Sequence, residues 1–185
     1  MVKYCVISLL FICFFSRSSQ SDDNSGYQNL QVPNEFVEII CNQTSNYSIC
    51  TDAFYSDSRT LGADQYTVAY IAVSMVYNNA TNTKKLMEDA LRSPTPPCEA
   101  EPLQRCCDEY DKAISLIASA YIDVNSETFS DLGRLASMAS LVVDNCLAAF
   151  GDGLPLPAFV PRCIHGEKIL LEACEVIGNL YCGEC

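Results

Sequence analysis

The chain has 185 residues, of which 49% are hydrophobic and 18% charged, so it can bury one ordinary core and is expected to form one domain. Its 23 acidic and 11 basic residues give a formal net charge of −12, which argues against nucleic acid or an anionic membrane as the partner and favours a cationic protein. Trp is absent and His165 is the only histidine, which removes most general-base and metal-ligand options.

The first residues have the pattern of a secretory signal peptide, predicted over residues 1–21. Lys3 precedes the apolar run Cys5 to Phe15, and small residues suited to cleavage after Ser18 or Ser21 follow. The run is too short to span a bilayer, and no later uncharged segment is longer. Cleavage leaves nine basic and 23 acidic residues, a net charge of −14. Residues 22–33 are predicted to be a flexible N-terminal segment, and residues 34–185 the folded domain.

Secretion predicts that the cysteines form disulfides, since an oxidising compartment favours bridges over catalytic thiols or zinc sites. Two of the twelve cysteines leave with the signal peptide, and the even number that remains permits full pairing. The ten are Cys41, Cys50, Cys98, Cys106, Cys107, Cys146, Cys163, Cys174, Cys182 and Cys185. Three glycosylation sequons, at Asn42, Asn46 and Asn79, agree with the secretory route, and at least one is expected to carry a glycan.

Short helical pieces are expected first, over Asn34 to Ser56, and four long amphipathic helices follow. Apolar residues recur every three or four positions from Tyr66 to Ala90 and from Leu103 to Tyr121, with Pro102 in the first turn of the second long helix. The third stripe runs from Leu132 to Phe150 and stops at a Gly-Asp-Gly sequence. The fourth, Leu170 to Leu180, follows a Pro-rich link over Leu154 to Arg162. Alternating strand patterns are absent, so the sequence predicts an all-α, antiparallel up-and-down four-helix bundle.

Four blocks of residues carry a resemblance to a known family. They are Cys41-x-x-Thr44-x-x-Tyr47-x-x-Cys50 followed by Phe54 and Ala63-Asp64; Cys106-x-x-x-Tyr110-x-x-Ala113; Ala136-Ser137-Met138-Ala139; and Asn145-Cys146 with Phe150 beyond. In this order and on helices of this spacing, they resemble the plant invertase and pectin methylesterase inhibitor family. The resemblance covers roughly Glu35 to Tyr181.

The resemblance implies a four-helix bundle with an N-terminal helical hairpin, stapled by disulfides Cys41–Cys50 and Cys106–Cys146. Periodicity alone does not choose between Cys106 and Cys107, because both border the buried stripe. The family spacing to Tyr110 selects Cys106. The chain departs from the family pattern in six surplus cysteines, whose pairing stays open: Cys98, Cys107, Cys163, Cys174, Cys182 and Cys185. A zinc or redox site is the disfavoured alternative for them, since His165 has no cysteine pair at ligand spacing.

No catalytic set is evident, and neither a metal nor a cofactor is expected. His165 is interpreted as a surface residue, and the acidic cluster of Asp108, Glu109 and Asp111 as a solvated helix face. The resemblance instead implies a secreted inhibitor that occludes the active-site cleft of a pectin methylesterase, in a 1:1 complex. The contact residues are not predicted. An acid invertase of the cell wall or vacuole is the alternative target.

Residues 127–130 favour pectin methylesterase over invertase. Invertase inhibitors of this family often carry a Pro-Lys-Phe element here, and the chain keeps only the aromatic, Phe129. Phe129 itself is predicted to be a core residue at the bundle end. Two further alternatives are a family member without inhibitory activity and a helical carrier of a small apolar ligand. The expected location is extracellular, in the apoplast and cell wall, with the vacuole as the other destination.

Overall fold

The computed structural model describes residues 33–93, 95–151 and 157–182, and these ranges contain six α-helices. The helices are α1 (Glu35–Cys41), α2 (Tyr47–Ser56), α3 (Gln65–Leu91), α4 (Pro97–Asn125), α5 (Leu132–Ala148) and α6 (Phe159–Cys182), with a 3-10 turn at Thr60–Gly62. No strand occurs in the described ranges. The predicted all-α class is confirmed, while the expected signal peptide and the segment 22–33 lie outside these residues, apart from Pro33.

The short helices α1 and α2 form a hairpin held by capping and by a disulfide. The Asn34 side chain accepts hydrogen bonds from the first turn of α1 and donates to the carbonyls of Thr60 (2.9 Å) and Ala63 (2.8 Å). Cys41 and Cys50 are bonded, with their Cα atoms 5.4 Å apart. Because helices of seven and ten residues are too short to be stable alone, these links fix the hairpin.

Helix α3 follows the prediction closely, whereas α4 begins earlier than expected. The Asp64 side chain caps α3 by accepting from the Thr67 amide at 2.7 Å. Helix α4 starts at Pro97, so the prediction that Pro102 lies in the first turn is wrong, and Pro102 is the sixth residue. The fixed φ of Pro97 suits the first helical position. Pro102 lacks the amide that would donate to the Cys98 carbonyl, so α4 runs through it with the loss of one hydrogen bond.

Helices α5 and α6 differ from the prediction at one boundary. Gly151 has φ +58° after α5, the left-handed conformation expected of a glycine that ends a helix. Helix α6 starts at Phe159, inside the stretch predicted to be a link. Pro161 is only its third residue, where the amide that proline lacks has no helical partner in any case.

The four long helices form a closed ring. Helix α3 packs on α4, α4 on α5, α5 on α6, and α6 on α3, which confirms the predicted up-and-down bundle. The core runs through the ring, and its largest fully buried side chains include Tyr110 and Phe150. A disulfide joins Cys106 of α4 to Cys146 of α5, with Cα atoms 4.2 Å apart. Among the described residues, no helix has the length and apolarity that crossing a membrane requires.

Aromatic residues close the end of the bundle where α4 turns into α5. Phe129 is buried and stacks on Tyr181 with ring centroids 3.9 Å apart, and it meets Tyr66 edge-on at 6.1 Å. Its backbone has φ +53°, which is unusual for a residue other than glycine. Phe129 is therefore a bundle-end core residue.

Candidate functional site

The four edges of the helical ring differ in what covers them. Helix α1 packs on α6 and α3, and α2 packs on α6, so the hairpin covers the edge between α3 and α6. The turn of the hairpin is tied to α6 by Glu172, whose carboxylate accepts from the Ser45 amide at 2.7 Å and the Ser45 hydroxyl at 3.0 Å. The opposite edge, between α4 and α5, carries no other described helix.

The three sequons lie away from this open edge. Asn42 and Asn46 are in the hairpin: Asn42 is exposed, and Asn46 caps α2 by accepting from the Ile49 amide at 3.1 Å. Asn79 is partly buried on α3. It lies about 140° around the helix axis from Lys84, which bonds Asp111 of α4 at 2.6 Å, so it is on the flank of α3 turned from α4. Neither α4 nor α5 contains a sequon.

We call the surface along the open edge the α4–α5 face. Its residues are Arg105, Asp108, Glu109 and Lys112 on α4 and Met138, Leu141 and Asn145 on α5. The charged residues of α4, together with Asn145 and Ala149, line an open groove of about 300 Å³. The face thus combines a charged groove with two apolar side chains.

The apolar side chains of the face are unusually exposed. Leu141 is 65% exposed and Met138 is 41% exposed, and both lie on the same stripe of α5 as Asn145, at helical spacings of three and four. Single exposed apolar residues are ordinary, but two neighbouring ones beside a groove suit a protein-binding surface.

Ion pairs and a disulfide hold the α4–α5 face in shape. Lys112 pairs with Glu109 at 2.6 Å and Arg105 with Glu101 at 3.1 Å, both along α4. These exposed pairs add little stability, but they hold the charged side chains of α4 in defined positions. The Cys106–Cys146 bridge joins the two helices directly beneath the groove. A rigid surface of this kind loses little conformational entropy when it binds.

A second groove lies between α3 and α4. It is lined by Ser74, Tyr77, Asn78, Ala118, Tyr121 and Ile122 and has a volume of about 400 Å³. Tyr121 donates a hydrogen bond to the hydroxyl of Tyr70 on its floor. Tyr77 is only 38% exposed. Because Tyr70 and Tyr121 pair across the two helices, this groove is part of the packing between α3 and α4. It is the alternative candidate for contact with a partner, and we call it the rival groove.

The described residues do not assemble a reactive centre. His165 is exposed on α6, which agrees with its interpretation as a surface residue. Burial raises the pKa of the Cys107 thiol to about 11 and that of Cys174 to about 12, which keeps both as inert thiols at ordinary pH. No group of three metal-ligating side chains occurs in the described part of the chain.

Four of the surplus cysteines carry free thiols in the described ranges. Cys98 and Cys182 are exposed thiols, and Cys107 and Cys174 are buried. Cys185 lies outside the described residues, so the suggested Cys182–Cys185 loop does as well. The bonded pairs are those that the family resemblance implies, including Cys106 rather than Cys107.

One notable residue escaped the sequence reasoning. Glu167 of α6 is completely buried and accepts a hydrogen bond from the Tyr110 hydroxyl at 3.0 Å. The helical spacing indicates that Glu167 is on the buried side of α6, since it lies four positions after Cys163 and three before Leu170, both of which are buried.

These features together define a disulfide-stapled four-helix bundle with a helical hairpin over one edge and an open, preorganised face on the other. A model of the family "Plant invertase/pectin methylesterase inhibitor" matches residues 35–161, and the chain belongs to this family.

Curated relatives carry inhibitor names. The chain is 27% identical over 190 residues to a pectinesterase inhibitor of Actinidia deliciosa, and the alignment covers 98% of this chain and 97% of that protein. It is 28% identical over 96 residues to pectinesterase inhibitor 2 of Arabidopsis thaliana, covering 52% and 54% of the two chains. This chain is accordingly an inhibitor-type protein and not an enzyme.

Solved structures support the fold. A mutant form of a pectin methylesterase inhibitor from Arabidopsis aligns with a TM-score of 0.72 at 21% identity, over 80% of this chain and 97% of that one. A second pectin methylesterase inhibitor, from Arabidopsis thaliana, aligns with a TM-score of 0.61 at 22% identity, over 78% and 94%.

Proposed function

We propose that this protein is a secreted inhibitor that binds a plant pectin methylesterase through its α4–α5 face and covers the active-site cleft of the enzyme. The observation that carries the target class is the set of relatives, which are named as pectinesterase inhibitors, the first of them over nearly the whole chain. The missing Pro-Lys pair before Phe129 supports the same choice over acid invertase.

The choice of face rests on three properties that coincide there. The edge is free of the hairpin, its helices contain no sequon, and the Cys106–Cys146 bridge joins its two helices. A glycan at Asn79 would extend from the other side of the ring. Inhibition by occlusion needs a rigid surface rather than chemistry, and these properties supply one.

Charge favours the encounter with a basic enzyme. Without residues 1–21 the chain has a net charge of −14. The groove itself is balanced, because Asp108 and Glu109 lie beside Arg105 and Lys112, so the attraction comes from the chain as a whole. Opposite charges raise the rate of association and make it sensitive to salt. The same charge would repel polyanionic pectin, so the enzyme and not the polysaccharide is the proposed partner. An extracellular location in the cell wall follows if the signal peptide over 1–21 is used.

The first experiment is a titration of the mature, oxidised protein against a plant pectin methylesterase and a plant acid invertase, at mildly acidic pH and two salt concentrations. We expect near-stoichiometric loss of pectin methylesterase activity at a 1:1 ratio, weakened by salt. Loss of invertase activity instead would reassign the target, and inhibition of neither would remove the inhibitory function.

The face is tested by placing the same charge at three exposed apolar positions. Leu141→Lys alters the centre of the α4–α5 face and is expected to weaken inhibition by about tenfold or more, as at an interface hot spot. Tyr77→Lys in the rival groove and Ile39→Lys on the hairpin should leave inhibition unchanged. Stronger loss with Tyr77→Lys than with Leu141→Lys would move the contact to the groove between α3 and α4.

A further inference from the structure

Three helices meet through polar side chains inside the apolar core. Glu167 of α6, Tyr110 of α4 and Thr83 of α3 are each completely buried. The Tyr110 hydroxyl donates to Glu167 Oε2 at 3.0 Å, and the Thr83 side chain lies against the Tyr110 phenol. We call these three residues the buried polar cluster.

The cluster contains a carboxyl group that no described positive side chain pairs with. Glu167 Oε1 and Thr83 Oγ1 make no hydrogen bond to any described residue. The one hydrogen bond that Glu167 Oε2 receives comes from a neutral phenol. An ionised carboxylate buried in this way would be an uncompensated charge, whereas the protonated form leaves only a neutral polar group underpaired.

The surrounding helices carry several charged or titratable groups. They are Lys84 on α3, which pairs with Asp111 of α4; Asp144 on α5, which pairs with Lys168 of α6; Cys107 on α4; Cys163 and the exposed His165 on α6; and Glu172 on α6, bonded to Ser45 of the hairpin turn. None of these described groups contributes to the pKa of Glu167. Burial raises that pKa to about 8, and the Tyr110 hydrogen bond opposes the rise.

We propose that the buried polar cluster is a proton-dependent lock on α6: the folded bundle holds Glu167 in its neutral form, and loss of that proton weakens the packing of α6 against α3 and α4. Because α6 also carries the hairpin, the lock links protonation to the integrity of the whole bundle. Glu167 then contributes its stabilisation in an acidic compartment, independently of any target.

The direction of the pH dependence follows from the raised pKa. Between the ordinary value of 4.5 and about 8, the folded protein holds the Glu167 proton while the unfolded chain has lost it. The stabilisation is therefore complete below about pH 4.5 and is lost progressively as the pH rises to about 8. The unfolding equilibrium constant should rise by up to about tenfold per pH unit across this window.

The test is urea denaturation of the mature, oxidised protein in small pH steps across the window, with Glu167→Gln as the variant. Glutamine keeps the shape and cannot ionise, so we expect the steep part of the pH dependence to disappear. His165→Gln is the matched control, since it lies on the same helix, is exposed, and removes the only imidazole of the chain. A wild-type slope in Glu167→Gln, or its loss in His165→Gln, would overturn the lock.

A second variant covers the case in which Glu167→Gln does not fold. Tyr110→Phe removes the hydrogen bond that lowers the pKa of Glu167, so the end of the pH-dependent range should move to higher pH. A merely structural role for Tyr110 would lower stability at every pH without moving that point, and an unmoved or lowered end point would contradict the proposal. Infrared spectra of protein labelled at glutamate should also show a protonated carboxyl at neutral pH.

Discussion

The contact between α5 and α6 leaves no room for a side chain at Gly178. A Cβ atom there would lie 2.3 Å from the backbone nitrogen of Gly133 and 2.7 Å from its Cα. Backbone cannot swing aside as a flexible side chain can, so Gly178→Ala must push the two helices apart. Overpacking of this kind costs about 1–3 kcal/mol and sometimes more. The gain in helix propensity, about 1 kcal/mol, offsets part of it.

The matched control lies on the same helix. A Cβ atom at Gly166 would meet nothing within 4 Å, so Gly166→Ala should keep the propensity gain and stabilise the protein by about 0.5–1 kcal/mol. We expect Gly178→Ala to lose about 1 kcal/mol, which separates the variants by about 2 kcal/mol and by roughly 4–8 °C in melting temperature. Urea denaturation followed by circular dichroism, with the disulfides intact, measures the difference. Equal stability of the two variants would show that α5 and α6 do not touch at Gly178.

Two further predictions concern the links that hold the chain. Replacing Cys106 and Cys146 together with alanine should lower the free energy of unfolding by about 4 kcal/mol, because the bridge spans 40 positions of the chain; a loss below about 1 kcal/mol in denaturant titrations would contradict this. Asn34→Ala should cost about 2 kcal/mol, since it removes the α1 cap and two bonds to the segment before α3; an unchanged melting temperature would refute the role of these bonds.

The sequence predicted the number and order of the long helices because each must bury one apolar stripe. It failed at the starts of α4 and α6, where prolines were interpreted as boundaries. Pro161, the third residue of α6, loses no helical hydrogen bond, because the first amides of a helix have no partner in it. Pro102 loses one, as a proline inside any helix does, and α4 still runs through it. A proline therefore does not by itself mark where a helix begins.

The buried polar cluster was missed for a different reason. A carboxylate is ordinarily expected on the solvent side of a helix, so Glu167 did not enter the stripe although its spacing placed it there. Its partner Tyr110 comes from a helix that begins more than sixty positions earlier. Local pattern reveals which face is buried but cannot reveal which distant side chain meets it.

The candidate contact surface was likewise beyond local pattern. Periodicity divides each helix into a buried and an exposed side, but it leaves every exposed side equivalent. What distinguishes the α4–α5 face is that the hairpin docks on the opposite edge, which depends on contacts such as Ser45 with Glu172 across 127 positions.

The two disulfides stabilise opposite edges of the bundle. The Cys41–Cys50 bridge stiffens the hairpin, which covers one edge, and the Cys106–Cys146 bridge fixes the two helices of the open edge to each other. A surface that acts by shape must not slide when it meets an enzyme, and α4 and α5 are the pair of long helices whose relative position is fixed covalently in the described structure. If binding used another edge, the rigidity of the α4–α5 pair would have no effect on affinity. Full reduction of both disulfides separates these two cases. If the reduced protein keeps its helicity but loses inhibition, the contact lies on the α4–α5 face, and if inhibition persists, the contact lies on another edge.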